Sequence, residues 1–193
     1  EYGDFELSFD WKIAPGGNSG LKYGIQDFIL LDLRHRRKGV PFEEQVAHEV
    51  LHRPSKRDKV DPKIGSEEYV VGFEYQMIDD TAHADAMRGA VYQTGALYSM
   101  IAPSKKAARP SGEWNQGRIV RKGDHIEHWV NGVKVLDGSL KDPAIGQMAA
   151  KRWKPAPQVQ RMLVDQPKKR TPISLQNHND EAWFRNLKVR RLD

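Results

Sequence analysis

The stretch FELSFDWKI, residues 5–13, alternates apolar and polar side chains from end to end. Phe5, Leu7, Phe9, Trp11 and Ile13 fall on one face, and Glu6, Ser8, Asp10 and Lys12 on the other. A period of two marks a strand with one face on a core and one in water; a helix would space its apolar residues three and four apart. Working outward, PGGNSG at 15–20 breaks the strand with turn residues, and 21–31 reads as the returning strand. Further strands are expected over 69–78, as one or two short pieces within 90–101, and as a hairpin with arms 118–121 and 125–130. Asn131-Gly132 then turns the chain into 133–136, and 173–176 and 184–192 close the sequence. Many short strands with turn signals between them predict an all-β fold, a sandwich or jelly roll.

Two segments break this rhythm. PFEEQVAHEVLH, 41–52, places Phe42, Val46, Val50 and neighbouring Leu51 at helical spacing, with Pro41 suited to the first helical position and Pro54 beyond the end. With the charged residues that follow, 38–66 reads as a helical insertion, a peripheral excursion between two strands. Residues 141–172, rich in Pro and Lys, read as a long loop over one edge.

Composition narrows the class. The 193 residues suffice for one domain with a single core. With 38% hydrophobic and 30% charged residues, the chain is neither disordered nor membrane-embedded in character. No apolar run approaches the roughly 18 residues that span a bilayer. Cysteine is absent, which excludes disulfides and thiol redox chemistry. No signal peptide is visible, and the strand-like opening suggests that an N-terminal piece has been removed. The net charge of +5 raises the question of nucleic acid. The basic clusters at 34–38, 53–59, 105–109 and 168–170 lack the interleaved aromatics of a single-strand platform, so they read as solvated loops and no nucleic-acid partner is expected.

Several constellations bear on chemistry. His48-Glu49-x-x-His52 matches the zinc-protease pattern, in which two histidines one helical turn apart share a metal beside a glutamate base. Pro54 ends the helix almost at once and the flanks are charged, so a solvent-facing coincidence is the better reading. In FEYQMIDD, 73–80, Phe73, Tyr75 and Met77 point one way and Glu74 and Gln76 the other, as a polar groove over a core strand would require. Asp79 and Asp80 end that strand, and His83 follows. In SLQNH, 174–178, Gln176 and His178 share a face opposite Leu175. In the hairpin, His128 takes the apolar parity, where a hydrogen-bonded core histidine is commoner than a catalyst.

Together with Asn18-Ser-Gly-Leu, Thr94-Gly-Ala-Leu-Tyr98, Gly112-Glu-Trp-Asn115, Ile126-Glu-His-Trp-Val-Asn-Gly132 and Phe184-Arg-Asn-Leu187, these blocks resemble the 3-keto-disaccharide hydrolase family, in family order and nearly end to end. The resemblance implies a concanavalin A-like sandwich of two curved antiparallel sheets, and exported bacterial proteins, periplasmic or extracellular, that act on glycosides. It also implies strand material ahead of Glu1. The insertion at 38–66 departs from the family pattern, as does Asn179 where glycine is usual after His178.

The chemistry so implied is specific to a 3-keto sugar. The ketone acidifies the C2 proton, so a base forms an enolate, the C1 substituent leaves by β-elimination, and water adds back. Such a site needs a base near C2, a donor or cation at the C3 oxygen and an acid at the leaving oxygen. Glu74 and His178 are the candidates for acid and base. Gln76, Gln176 and Arg118 are candidates for holding hydroxyls or the ketone oxygen, and Tyr98, His128 and Arg185 for further substrate contacts. Asp79, Asp80 and His83 are candidate ligands for a divalent metal, which would stabilise an enolate. Trp114, Asn115 and Asn131-Gly132 read as structural. The competing class is a non-catalytic, lectin-like sugar-binding module. It would need amides and an aromatic platform rather than a proton-transfer pair, so Glu74 with His178 favours an enzyme.

Overall fold

Residues 5–13 form strand β1 (Phe5–Ile13), and its chemical alternation is also its alternation of burial, every odd position buried and every even one half-exposed. The computed structural model describes residues 1–32, 38–51 and 66–193. The other strands are β2 (Asn18–Asp32), β3 (Ser66–Ile78), β4 (Asn115–Lys122), β5 (His125–Val130), β6 (Val133–Ser139), β7 (Ser174–Leu175) and β8 (Ala182–Arg191). They make two antiparallel sheets, one five-stranded in the order β6-β5-β4-β1-β8 and one three-stranded in the order β3-β2-β7. The two-sheet sandwich expected from the alternation is the fold observed. Asn131 (φ 49°) and Gly132 (φ 79°) supply the positive dihedrals that a tight hairpin turn needs. The Asn131 amide also donates to Asn115 Oδ1 at 2.8 Å, confirming both asparagines as structural.

The main core lies between the sheets, with Phe5, Phe9 and Trp11 of β1 against Tyr23, Phe73 and Tyr75 of the smaller sheet. His128 sits inside this core with no exposed surface. Its Nδ1 lies 3.0 Å from the Gly95 carbonyl and its Nε2 2.8 Å from the Tyr23 hydroxyl. A carbonyl only accepts, so Nδ1 carries the proton and Nε2 accepts from the tyrosine. Burial lowers the pKa of this imidazole to about 4, leaving it neutral near pH 7. The candidate role of His128 in substrate binding is therefore corrected: it is a core residue, as its parity indicated.

A second core forms where the sequence predicted an excursion. Helix α1 (Phe42–Leu51) buries Val46 completely against Ile29, Leu31 and Val71 of the smaller sheet, and Trp153 joins them. Fully burying such a side chain contributes roughly 1.5–3 kcal/mol, so α1 is part of the packed structure and not peripheral. Glu49 is buried too, and His48 Nδ1 lies 3.4 Å from it, which corrects the expectation that both face solvent. His52 lies outside the described residues, as do the basic residues 34–37 and 53–59.

Trp153 belongs to the stretch expected to be a loop. Instead, α2 (Pro143–Arg152) and the short α3 (Pro157–Gln160) occupy it, the latter running into a wider helical turn over Arg161–Asp165. Two of the prolines that suggested a loop, Pro143 and Pro157, stand at the first turn of a helix, where a missing N–H costs nothing. Asp142 caps α2 by accepting from Ala144 N at 2.8 Å, and Ile145 and Ala149, one turn apart, are buried. Residues 90–101 likewise differ from expectation. They hold a short 3-10 turn at Ala90–Tyr92 and isolated bridges at Leu97, because Gly95 (φ 83°) and Ser99 (φ 60°) interrupt extended backbone. Among the described residues no helix is long and apolar enough to cross a membrane.

Candidate active site

The outward side of the smaller sheet is polar where its inward side is aromatic. Pairing of β2 with β3 sets Lys22 opposite Glu74 and Gly20 opposite Gln76. Lys22 Nζ lies 2.9 Å from Glu74 Oε2, with both side chains over nine-tenths buried (6% and 7% exposed). The lysine also sits 5.1 Å from the Tyr69 ring centroid, a cation–π distance. The Glu74 carboxylate leans across Gly20, where a Cβ would meet Glu74 Oε1 at 2.4 Å. Glycine at 20 is thus what leaves the carboxylate its place. The Gln76 amide is satisfied when its nitrogen faces Glu74 Oε1 at 3.1 Å and the Ser19 carbonyl at 3.2 Å. Each carboxylate oxygen then accepts one hydrogen bond and keeps a lone pair for another donor.

On the other flank of β2, Gln176 N donates to the Gly20 carbonyl at 2.8 Å and Ser19 Oγ donates to the Gln176 carbonyl at 2.9 Å. These bonds carry the chain along β2 past the end of β7 and bring His178 to the rim as an exposed loop residue, not a strand residue. Its ring centroid lies 6.4 Å from that of His83. The strand bearing Glu74 and β7, which Gln176 follows, do not pair; β2 lies between them. Glu74, Gln76, Gln176 and His178 nonetheless line one cleft of about 860 Å³, within the range of ligand sites.

The remaining walls come from Tyr98, a candidate from the sequence, and from residues the sequence reading did not single out. The Tyr98 hydroxyl donates to Asp85 Oδ2 at 2.9 Å, and Arg88 Nη1 donates to Asp85 Oδ1 at 2.9 Å. Burial works against the Asp85 carboxylate, but these two donors more than offset it and its pKa is lowered. Burial, with Asp85 alongside, raises the pKa of Tyr98. Arg152, the last residue of α2, donates from Nε to Glu43 Oε1 at 3.0 Å and from Nη1 to Ser99 Oγ at 2.9 Å. Burial opposes its charge, yet Tyr69, Tyr98 and Glu43 restore it and its pKa is raised. The cleft thus has cations at Lys22, Arg88 and Arg152 and carboxylates at Glu74, Asp85 and Glu43. Lys22 had a legible signal, a lone lysine at the outward parity between Leu21 and Tyr23. Arg152 had none, because its segment read as a loop.

Other candidates lie elsewhere. Arg118 and Arg185 stand on the five-stranded sheet, the first stacked 3.9 Å from the Trp129 ring and the second 3.2 Å from Asp10 Oδ2. Neither lines the cleft, so their shared role with Glu74 is corrected. Asp79 accepts from Gly16 N, Thr81 N, Thr81 Oγ1 and Ala82 N, which together overcome the effect of its burial and lower its pKa. Asp80 accepts from Thr94 N at 2.8 Å and has its pKa raised by burial. Both aspartates hold turns rather than offering a free ligand set with His83. Among the described residues, the histidine and carboxylate atoms that converge belong to His125, Glu127 and Asp137, whose carboxylates already take Lys134.

The profile of the family described as "3-keto-alpha-glucoside-1,2-lyase-like domain" matches residues 1–190. The chain belongs to this family. A Bacteroides thetaiotaomicron protein named 3-keto-disaccharide hydrolase is 27% identical over 208 residues, which take in all of this chain. The chain spans 60% of that relative's length. A solved glycosyl hydrolase candidate from Parabacteroides distasonis superposes with a TM-score of 0.68 at 25% identity, covering 100% of this chain and 71% of that one. A second from the same organism, at 22% identity and a TM-score of 0.55, shares the fold; the match covers 99% of this chain and 79% of that one.

Proposed function

We propose that this family member cleaves 3-keto-glycosides in the Glu74 cleft by elimination followed by hydration. The observation that carries the reading is the buried Lys22–Glu74 pair on the floor of a polar cleft whose rim holds His178. Glu74 takes the C2 proton, made acidic by the C3 ketone, and the electron pair passes to the C3 oxygen. Lys22, next to Glu74, is the cation placed to offset that developing negative charge. The enolate then expels the C1 oxygen, which takes a proton from His178 and departs as the aglycone alcohol. Water adds at C1 and a proton returns to C2, so the net change is glycoside plus water to free 3-keto sugar plus alcohol. Gln176 holds a sugar hydroxyl, Gln76 holds the Glu74 carboxylate in place from below, and Tyr98 and Arg152 border the substrate. Export to the periplasm or beyond belongs to the same reading, and fractionation of the native cells tests it.

The decisive experiment follows aglycone release from a 3-keto-glucoside, with and without chelator, in the wild type and Glu74→Gln. Turnover should fall by about two or more orders of magnitude, the usual scale for a lost acid or base. Wild-type-like turnover in Glu74→Gln would place the chemistry elsewhere. Sugar binding without turnover in either protein would make the domain a lectin-like module.

A further inference from the structure

The outward face of the five-stranded sheet carries a second cavity, of about 570 Å³, remote from the Glu74 cleft. Its floor is β1, whose outward residues run Glu6, Ser8, Asp10 and Lys12. Pairing on both sides arranges this face in rows. Ser8 lies between Arg118 of β4 and Lys188 of β8, and Arg118 in turn lies beside Trp129 of β5. Neighbouring strands are about 4.8 Å apart, so the two cations rise from backbones roughly 10 Å apart with a short side chain between them. The result is a notch flanked by positive charge.

The rows on either side are balanced, and this one is not. Glu6 has Arg190 at 3.4 Å, and Asp10 has Arg185 at 3.2 Å. Lys188 has no hydrogen-bond or ion-pair partner among the described residues, and Arg118 reaches Glu6 only at 3.9 Å, beyond hydrogen-bond distance. The Arg118 guanidinium is held against the Trp129 ring at 3.9 Å, which orders the fork without using its donors. Hydrogen-bonding groups for neutral hydroxyls surround the notch. Arg185 and Asn186 both donate to Asp10 Oδ2, leaving Oδ1 free of partners among the described residues, and Gln116 and Asn186 line the same cavity.

We infer that this face is a second glycan-binding site, centred on Ser8, that takes a carboxylate-bearing sugar. The carboxylate sits over Ser8 between Arg118 and Lys188, and the ring hydroxyls reach Asp10, Gln116 and Asn186. A monoanion among hydroxyls fits better than a polyphosphate backbone, because Glu6 and Asp10 on either side would repel a continuous line of negative charge.

Titration calorimetry with a disaccharide that carries a single glucuronate, its methyl ester and a uridine oligonucleotide tests the assignment. The uronate disaccharide should bind, and the ester, which keeps the hydroxyls and loses the charge, should bind at least about tenfold more weakly, as should the acid to Lys188→Gln. Ser8→Tyr fills the notch without changing charge and should abolish binding. Lys141→Gln removes the same charge from a lysine paired with Asp124 elsewhere and should bind as the wild type does. Equal binding of acid and ester, equal loss in Lys141→Gln, equally tight binding of the oligonucleotide, or no binding to the wild type would each overturn the inference.

Discussion

The two outward faces of the sandwich are built from the same alternating strands and yet treat charge differently. On the three-stranded sheet, α1 and α2 rise beside the strands, and Lys22 and Glu74 meet at 2.9 Å with almost no exposed surface. On the five-stranded sheet no helical residue lines the cavity, among the described residues. There Lys134 meets Glu127 and Asp137, and Arg185 meets Asp10, with the cations 37% and 53% exposed. The same chemistry has opposite consequences. A buried pair whose partner is removed leaves an uncompensated charge out of water, whereas an exposed pair exchanges one solvated state for another. Helical walls, more than residue type, make one face a deep cleft and leave the other open.

Substitutions can break that comparison, beginning with the largest expected effect. Lys22→Met should destabilise the fold by about 3 kcal/mol, the scale for stranding a buried carboxylate. Adding Glu74→Gln to it should restore much of the loss, measured as midpoints of urea unfolding. If Lys22→Met unfolds at the wild-type midpoint, the pair is hydrated and the two faces are alike. Because Glu74 is buried and paired, Glu74→Gln alone should also cost stability, so turnover in that variant must be normalised to folded protein.

A smaller effect concerns the core that separates the faces. His128 titrates near 4 when folded and near 6.5 when not, so between those values the unfolded chain binds more protons. The stability this histidine contributes is complete above pH 6.5 and is lost as pH falls toward 4. Wild-type stability should drop between pH 7 and pH 5 by about 2 kcal/mol more than that of His128→Gln. Parallel pH profiles for the two proteins would mean that folding leaves the pKa of His128 unshifted.

The smallest effect belongs to the open face. Lys134→Ala removes the cation shared by Glu127 and Asp137 and should cost under about 1 kcal/mol, an effect that salt further reduces. A loss as large as that of Lys22→Met would show that the open face is organised like the cleft.

Much of this architecture was legible in the chain. Strict alternation in residues 5–13 and 73–77 reports burial directly, since successive side chains on a strand face opposite ways. It put Glu74 and Gln76 opposite Phe73, Tyr75 and Met77, and His128 with the core. The helix at 42–51 was legible from its spacing, but its role was not. Val46 looks the same in sequence whether it meets solvent or Trp153, and the helix that ends just before Trp153 was masked by the proline that begins it.

What only the tertiary structure decided is which outward face each polar residue joins. Alternation assigns a side chain to one side of its own strand and says nothing about which sheet that strand enters. Glu74, Arg118 and Arg185 all point outward, yet long-range pairing sends the first to the cleft and the other two to the opposite surface. The same pairing sets Lys22 against Glu74, 52 positions apart, and docking of α2 brings Arg152 to Ser99, 53 positions apart. Local periodicity follows from backbone geometry at each residue. The site comes from contacts between distant segments, and those depend on the packing of the whole sandwich.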